Sequence, residues 1–201
     1  MTVEEIVDIE WTMFDQVHNI GGRASCQEDP RTFFIMRSSQ LRAWSAEMRE
    51  SYGRDLLQAR KMGRNLLSEK YGYMMERTSP LEYAQIRNRL PARSPEKLAQ
   101  IDQICSVHVG WMKEMSSRYP HLAGRGRATQ RHEDTPYTTS FETYLWGELA
   151  TYSLETLEHY WTHIQTLQQE GRNMNEEILR HTVAQYGYSS LDEAESRLAG
   201  K

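Results

Sequence analysis

Several ionisable residues sit where apolar side chains belong. In the stretch VDIEWTMF, residues 7–14, the helical pattern calls for a leucine-like residue at position 10, and the chain has a glutamate. Each helical residue advances about 100° around the axis. On that wheel Ile6, Met13, Phe14 and Val17 flank Glu10, while Glu4, Glu5, Asp8 and Asp15 fall on the opposite arc. A buried carboxylate without a partner costs several kcal/mol, so Glu10 calls for a cation, a metal, strong donors or a raised pKa.

The anomaly recurs. Arg37 lies among Phe33, Phe34, Leu41, Trp44, Met48 and Tyr52; an arginine can also snorkel outward. His108 falls inside an arc of Ile101, Ile104, Cys105, Trp111, Met112 and Met115. Glu142 and Glu148 lie in a segment, with Phe141, Tyr144, Leu145, Trp146, Leu149 and Tyr152, that is apolar nearly all round. Such a helix is expected to be central and buried. Glu142 has a second reading as a first-turn carboxylate favoured by the helix dipole, with Thr139 or Ser140 as cap.

Two chemistries suit this set. In the first, Glu10, Glu142 or Glu148 acts as general acid or base with His108 as partner, and Arg23 and Arg37 bind an anionic, amino-acid-like substrate. Cys26, Tyr144 and Tyr152 complete the expected substrate-binding set. In the second, Glu10, His108, Glu142 and Glu148 hold a metal for an oxidase or oxygenase, although no Glu-x-x-His pair of the di-metal bundle kind occurs. A third reading is non-catalytic: a ligand-binding or adaptor protein whose buried charges fix helix register. Cys26 in GGRASCQ, residues 21–27, is either a nucleophile activated by Arg23 or a structural loop cysteine. The 121–138 segment, with Arg125, Arg127, Arg131 and His132, is either a lid or a solvated loop.

The elements that must position these residues are helices. Alternating β-branched runs are almost absent, and only six prolines punctuate the chain. Helices are expected at about 2–18, 30–51, 53–77 (with a kink near Gly63), 94–119, 140–170, 174–186 and 190–198. The fold class is therefore all-α, an irregular bundle around a long, buried fifth helix. One domain spans 1–201, with 172–201 as a small C-terminal helical extension.

Composition narrows the class. With 24 Lys+Arg against 28 Asp+Glu, there is no basic footprint for nucleic acid. No apolar run approaches the roughly 20 residues of a membrane span. Two cysteines make no disulfide framework, and the acidic start MTVEEIVDIE lacks a signal-peptide core. The expectation is a cytoplasmic protein whose partner is a small-molecule ligand rather than nucleic acid or membrane.

Three segments carry a resemblance. GGRASCQEDPRTFFIMRSSQ, LLSEKYGYMMERTSP and TSFETYLWGELATYSLETL resemble the bacterial family known as domain of unknown function 4125, over about residues 5–170. The resemblance implies that the Gly-Gly-Arg loop and the Glu142–Glu148 helix belong to the family signature. Glu69 and Glu76 fall in the signature too, and the helical wheel puts both on a polar face.

Overall fold

Helix caps written in the sequence set the element order. In a computed structural model, which describes residues 1–18, 22–135 and 138–200, every described element is helical. Thr2 and Glu5 form a capping box that starts α1 (Val3–Asp15). Asp29 accepts from the Thr32 N–H, and Pro30 occupies the first turn of α2 (Pro30–Arg42). Then come α3 (Ala46–Lys61), α4 (Leu66–Thr78), α5 (Pro80–Ile86), α6 (Pro95–Arg118), the short α7 (Pro120–Ala123), α8 (Phe141–Leu149), α9 (Leu154–Gln169), α10 (Met174–Gln185) and α11 (Leu191–Ala199). Ser94 and Ser190 cap α6 and α11, each hydroxyl accepting from a backbone N–H three residues on.

Three long helices of the sequence reading are broken. The expected 30–51 helix splits at 43–45, where Ser45 accepts from the Met48 N–H and starts α3. The 53–77 helix ends rather than kinks at Gly63, which is left-handed at φ +66°. Asn65 then caps α4 and also donates to the Met13 carbonyl. The long fifth helix is two helices, with Ser153 capping α9. Neither glycine nor proline marks the first and third breaks. A serine hydroxyl competing for a backbone N–H does the work, and the wheel is blind to it.

The buried part of the fifth-helix prediction is α8. Leu145, Trp146, Gly147, Glu148 and Leu149 are all buried. The core runs from Ile6 and Val7 through Leu41, Met48, Leu56, Ile101 and Ile104 to Leu149, Leu157 and Ile164. The C-terminal helices pack against the rest of the chain. α10 packs on α2 and α6, and α11 packs on α7 around a second small core of Met115, Tyr119, Val183, Leu191 and Ala194.

α8 and α4 approach closely because position 147 is glycine. A Cβ there would collide with the Met74 side chain and sit 3.0 Å from the Lys70 carbonyl. Gly147→Ala should therefore destabilise the fold by about 1–3 kcal/mol, the range for overpacking. Urea unfolding measures it, and a wild-type midpoint would show that the two helices separate at no cost.

Candidate functional site

Arg37 on α2 lies at the centre of a buried ionic network. Its Nε and Nη2 donate to the two Glu10 oxygens at 2.8 and 2.5 Å. Its Nη1 donates to Glu148 Oε1 at 2.9 Å and to Gln40 Oε1 at 2.6 Å. Lys70 on α4 donates from Nζ to the other Glu148 oxygen at 2.7 Å. Two tyrosines close the set: Tyr52 donates to Glu10 at 2.6 Å and Tyr152 to Glu148 at 2.7 Å. Four helices thus supply two carboxylates and two cations, a balanced charge. Glu10 and Lys70 are 0% and 2% exposed, so this is interior rather than surface pairing.

Electrostatics fix the roles. Burial opposes the Arg37 charge, but Glu10 and Glu148 outweigh it and raise the guanidinium pKa further. Burial alone would raise Glu148; Arg37 and then Lys70 reverse the sign and hold its carboxyl well below the usual range. Burial, reinforced by the adjacent carboxylate, pushes the Tyr52 and Tyr152 phenols up and keeps them as donors. The rings of Tyr52 and Tyr152 pack at 4.8 Å, and Trp44 meets both edge-on.

The wheel argument missed Lys70. Its signal was present, since Leu66, Leu67, Tyr73 and Met74 surround position 70 at helical spacing and all are buried. Glu69 also departs from the polar-face reading. It is 8% exposed and takes a two-pronged bond from Arg64 at 2.7 and 2.6 Å. Glu76 stays outside, paired with Arg93 at 2.7 Å.

Beside the network lies a cavity of about 440 Å³. Arg37, Lys70 and Tyr144 line its inner end. Phe14, Phe33 and Leu67 give it an apolar wall, with the Phe14 and Phe33 rings stacked at 5.0 Å. The exposed residues Cys26, Asp29 and Arg127 stand at the mouth. A guanidinium has five N–H groups and an ammonium three. After the network bonds Arg37 retains one, and Lys70 gives one to Glu148 while its Nζ lies over the Tyr144 ring, leaving it an N–H to spare. The partner carboxylates Glu10 and Glu148 do not line the cavity.

Several expected site residues lie elsewhere. Arg23 is exposed and staples its loop to the end of α1, bonding Asp15 at 2.5 Å and Glu28 at 2.6 Å. Gly21 of the same motif lies outside the described residues. Glu142 accepts from the Arg131 N–H at 2.9 Å and anchors the 121–135 segment to the start of α8. Its cap is Ser140. Tyr152 belongs to the network and not to the cavity lining. His108 forms a separate buried triad, with Nδ1 2.7 Å from Asn175 Oδ1 and Nε2 2.9 Å from the Tyr160 hydroxyl. Burial lowers its pKa to about 4. The metal set Glu10, His108, Glu142 and Glu148 does not assemble. Among the described residues no three His, Cys, Asp or Glu side chains are grouped to hold an ion, and Arg37 occupies the space between Glu10 and Glu148.

No helix of the described residues is long and apolar enough to cross a membrane. No curated protein and no solved structure matches the chain. A family profile does, over residues 1–196, and it takes in the Arg37, Lys70 and Glu148 segments as well as the C-terminal helices. The chain belongs to the family described as protein of unknown function (DUF4125).

Proposed function

We propose that the protein is an enzyme of small-molecule metabolism that holds an anionic substrate in the cavity beside Arg37 and Lys70. The observation that carries this reading is the inner end of that cavity. Two buried cations line it, each retaining an N–H, while their balancing carboxylates face away into the network. A largely apolar cavity with a few convergent polar groups is the usual form of a small-molecule site. The stacked Phe14–Phe33 wall suits an apolar substrate body. Asp29 at the mouth supports an amino-acid-like substrate, carboxylate inward and ammonium outward. Its own carboxyl is held below the usual range, chiefly by the Thr32 backbone N–H.

The charge balance of the network also supports a narrower reading, in which the protein binds the anion without transforming it. On either reading Glu10 and Glu148 hold the cations in place. Glu148, with its lowered pKa, is a weak base.

Calorimetric titration with inorganic phosphate and with benzoate tests the site. Both should bind, benzoate gaining from the apolar wall. Arg127→Ala removes an exposed cation at the mouth and should weaken binding about fivefold, ~1 kcal/mol. Absence of binding for both anions would eliminate the proposal.

A further inference from the structure

The cavity lining holds a second, half-buried polar pair that the ionic network does not use. Tyr144 on α8 lies under Lys70, whose Nζ is 3.5 Å from its ring centroid, and under Arg127 at 4.6 Å. Tyr71, the residue after Lys70, lines the same cavity as Tyr144. We infer that Tyr144, with the cations Lys70 and Arg127 against its ring and Tyr71 beside it in the lining, is the group that exchanges a proton with an anion held in the cavity. The inference rests on the anion-site reading above and names the substrate class further: a carboxylate or phosphate monoester with an acidic O–H, N–H or C–H next to its anionic group.

The geometry divides the labour between the two phenols. Lys70 lowers the Tyr144 pKa more than burial raises it. Burial, and then the Tyr144 charge, push Tyr71 up well beyond the ordinary phenol range, so Tyr71 remains the donor. The two titrate as a pair, and Lys70 favours the charge on Tyr144 over Tyr71. Other groups act on the pair. Arg37 of α2 favours the Tyr144 phenolate, and Glu148 of the same helix opposes it. Arg127 lowers Tyr71, and a Cys26 thiolate would raise it. In the forward step the Tyr144 oxygen takes the proton from the acidic atom of the substrate and becomes a neutral phenol. The substrate atom keeps the electron pair, next to the spare N–H groups of Lys70 and Arg37. The reverse step returns the proton. Glu10 and Glu148 keep the two cations in position throughout.

Ultraviolet difference titration of tyrosinate tests this on the full chain. Wild type should show one tyrosine ionising ahead of the others. That step should vanish in Tyr144→Phe and move to higher pH in Arg127→Gln. Saturating phosphate should also move it to higher pH, because an anion beside the phenolate disfavours it. Superimposable curves for wild type and Tyr144→Phe would overturn the inference. So would an early step that phosphate leaves unmoved while calorimetry reports phosphate bound; in both cases the anion site would survive. Failure of the anion site itself would be seen as absence of phosphate and benzoate binding, and would remove the role of Tyr144 with it. Tyr144→Phe deletes one hydroxyl, and far-UV circular dichroism checks its fold. If that variant does not fold, tyrosine ring-carbon NMR of wild type and Arg127→Gln reads the same early step, and its absence overturns the inference equally.

Discussion

Arg37→Met should lower stability by about 3–5 kcal/mol, the usual cost of breaking a buried pair on one side. For a chain of this length that is on the order of 10 °C in Tm. The cause is the pair of carboxylates left behind more than the lost bonds. Among the described residues Glu10 would keep only Tyr52 as a side-chain donor, and Glu148 would keep Lys70, Gln40 and Tyr152. Glu10→Gln in the same background should therefore recover part of the loss, because it removes the more isolated charge. Urea unfolding of the two single variants and the double variant measures the coupling. An Arg37→Met loss within about 1 kcal/mol, typical of exposed pairs, would show that water reaches the network and that it does not organise the interior.

The second large effect is acid lability from His108. Its pKa falls from an ordinary value near 6.5 to about 4 in the fold, because burial excludes the charged form. Between those values the unfolded chain binds a proton that the folded chain does not. Stability therefore decreases as pH falls through this window and is fully present above it. The total is about 3 kcal/mol, of which about 2 should be lost between pH 7 and pH 5. The lowered Glu148 pKa acts in the same direction but at lower pH, since its contribution is lost only as pH falls below the ordinary carboxylate value. The pH 5–7 window thus isolates the histidine. His108→Gln should abolish most of the slope there while retaining polar contact with Asn175 and Tyr160. An unchanged slope in that variant would place the acid sensitivity elsewhere.

Much of the fold was legible because helices are local. Periodicity identified an all-α chain, and the expected cap Ser140 accepts from the Thr143 N–H at the start of α8. The errors have a common origin. Ser45 and Ser153 break helices that periodicity would continue, and the apolar pattern crosses both breaks without a change of phase to betray them. Tyr152, four residues after Glu148 and just past the end of α8, still bonds the Glu148 carboxylate.

The network itself was partly visible. A carboxylate and a guanidinium on apolar arcs of different helices need partners, and Glu10, Arg37 and Glu148 found one another. Lys70 satisfies the same criterion, lying among Leu66, Leu67, Tyr73 and Met74 at helical spacing. His108 met the criterion and went elsewhere, since Asn175 and Tyr160 satisfy a neutral imidazole without any charge.

The sequence by itself determined that the chain is helical and that Glu10, Arg37, His108 and Glu148 lie on buried faces, because a 3.6-residue period records one helix at a time. Only the tertiary structure decided which of those groups meet. Glu148 and Arg37 are 111 positions apart along the chain, and Lys70 reaches Glu148 only because Gly147 lets α4 and α8 close together. Pairing across such separations depends on how helices dock, and no local pattern carries it. The same docking turned a set of isolated anomalies into a neutral ionic scaffold, with a cavity on its cationic side and Tyr144 at the boundary.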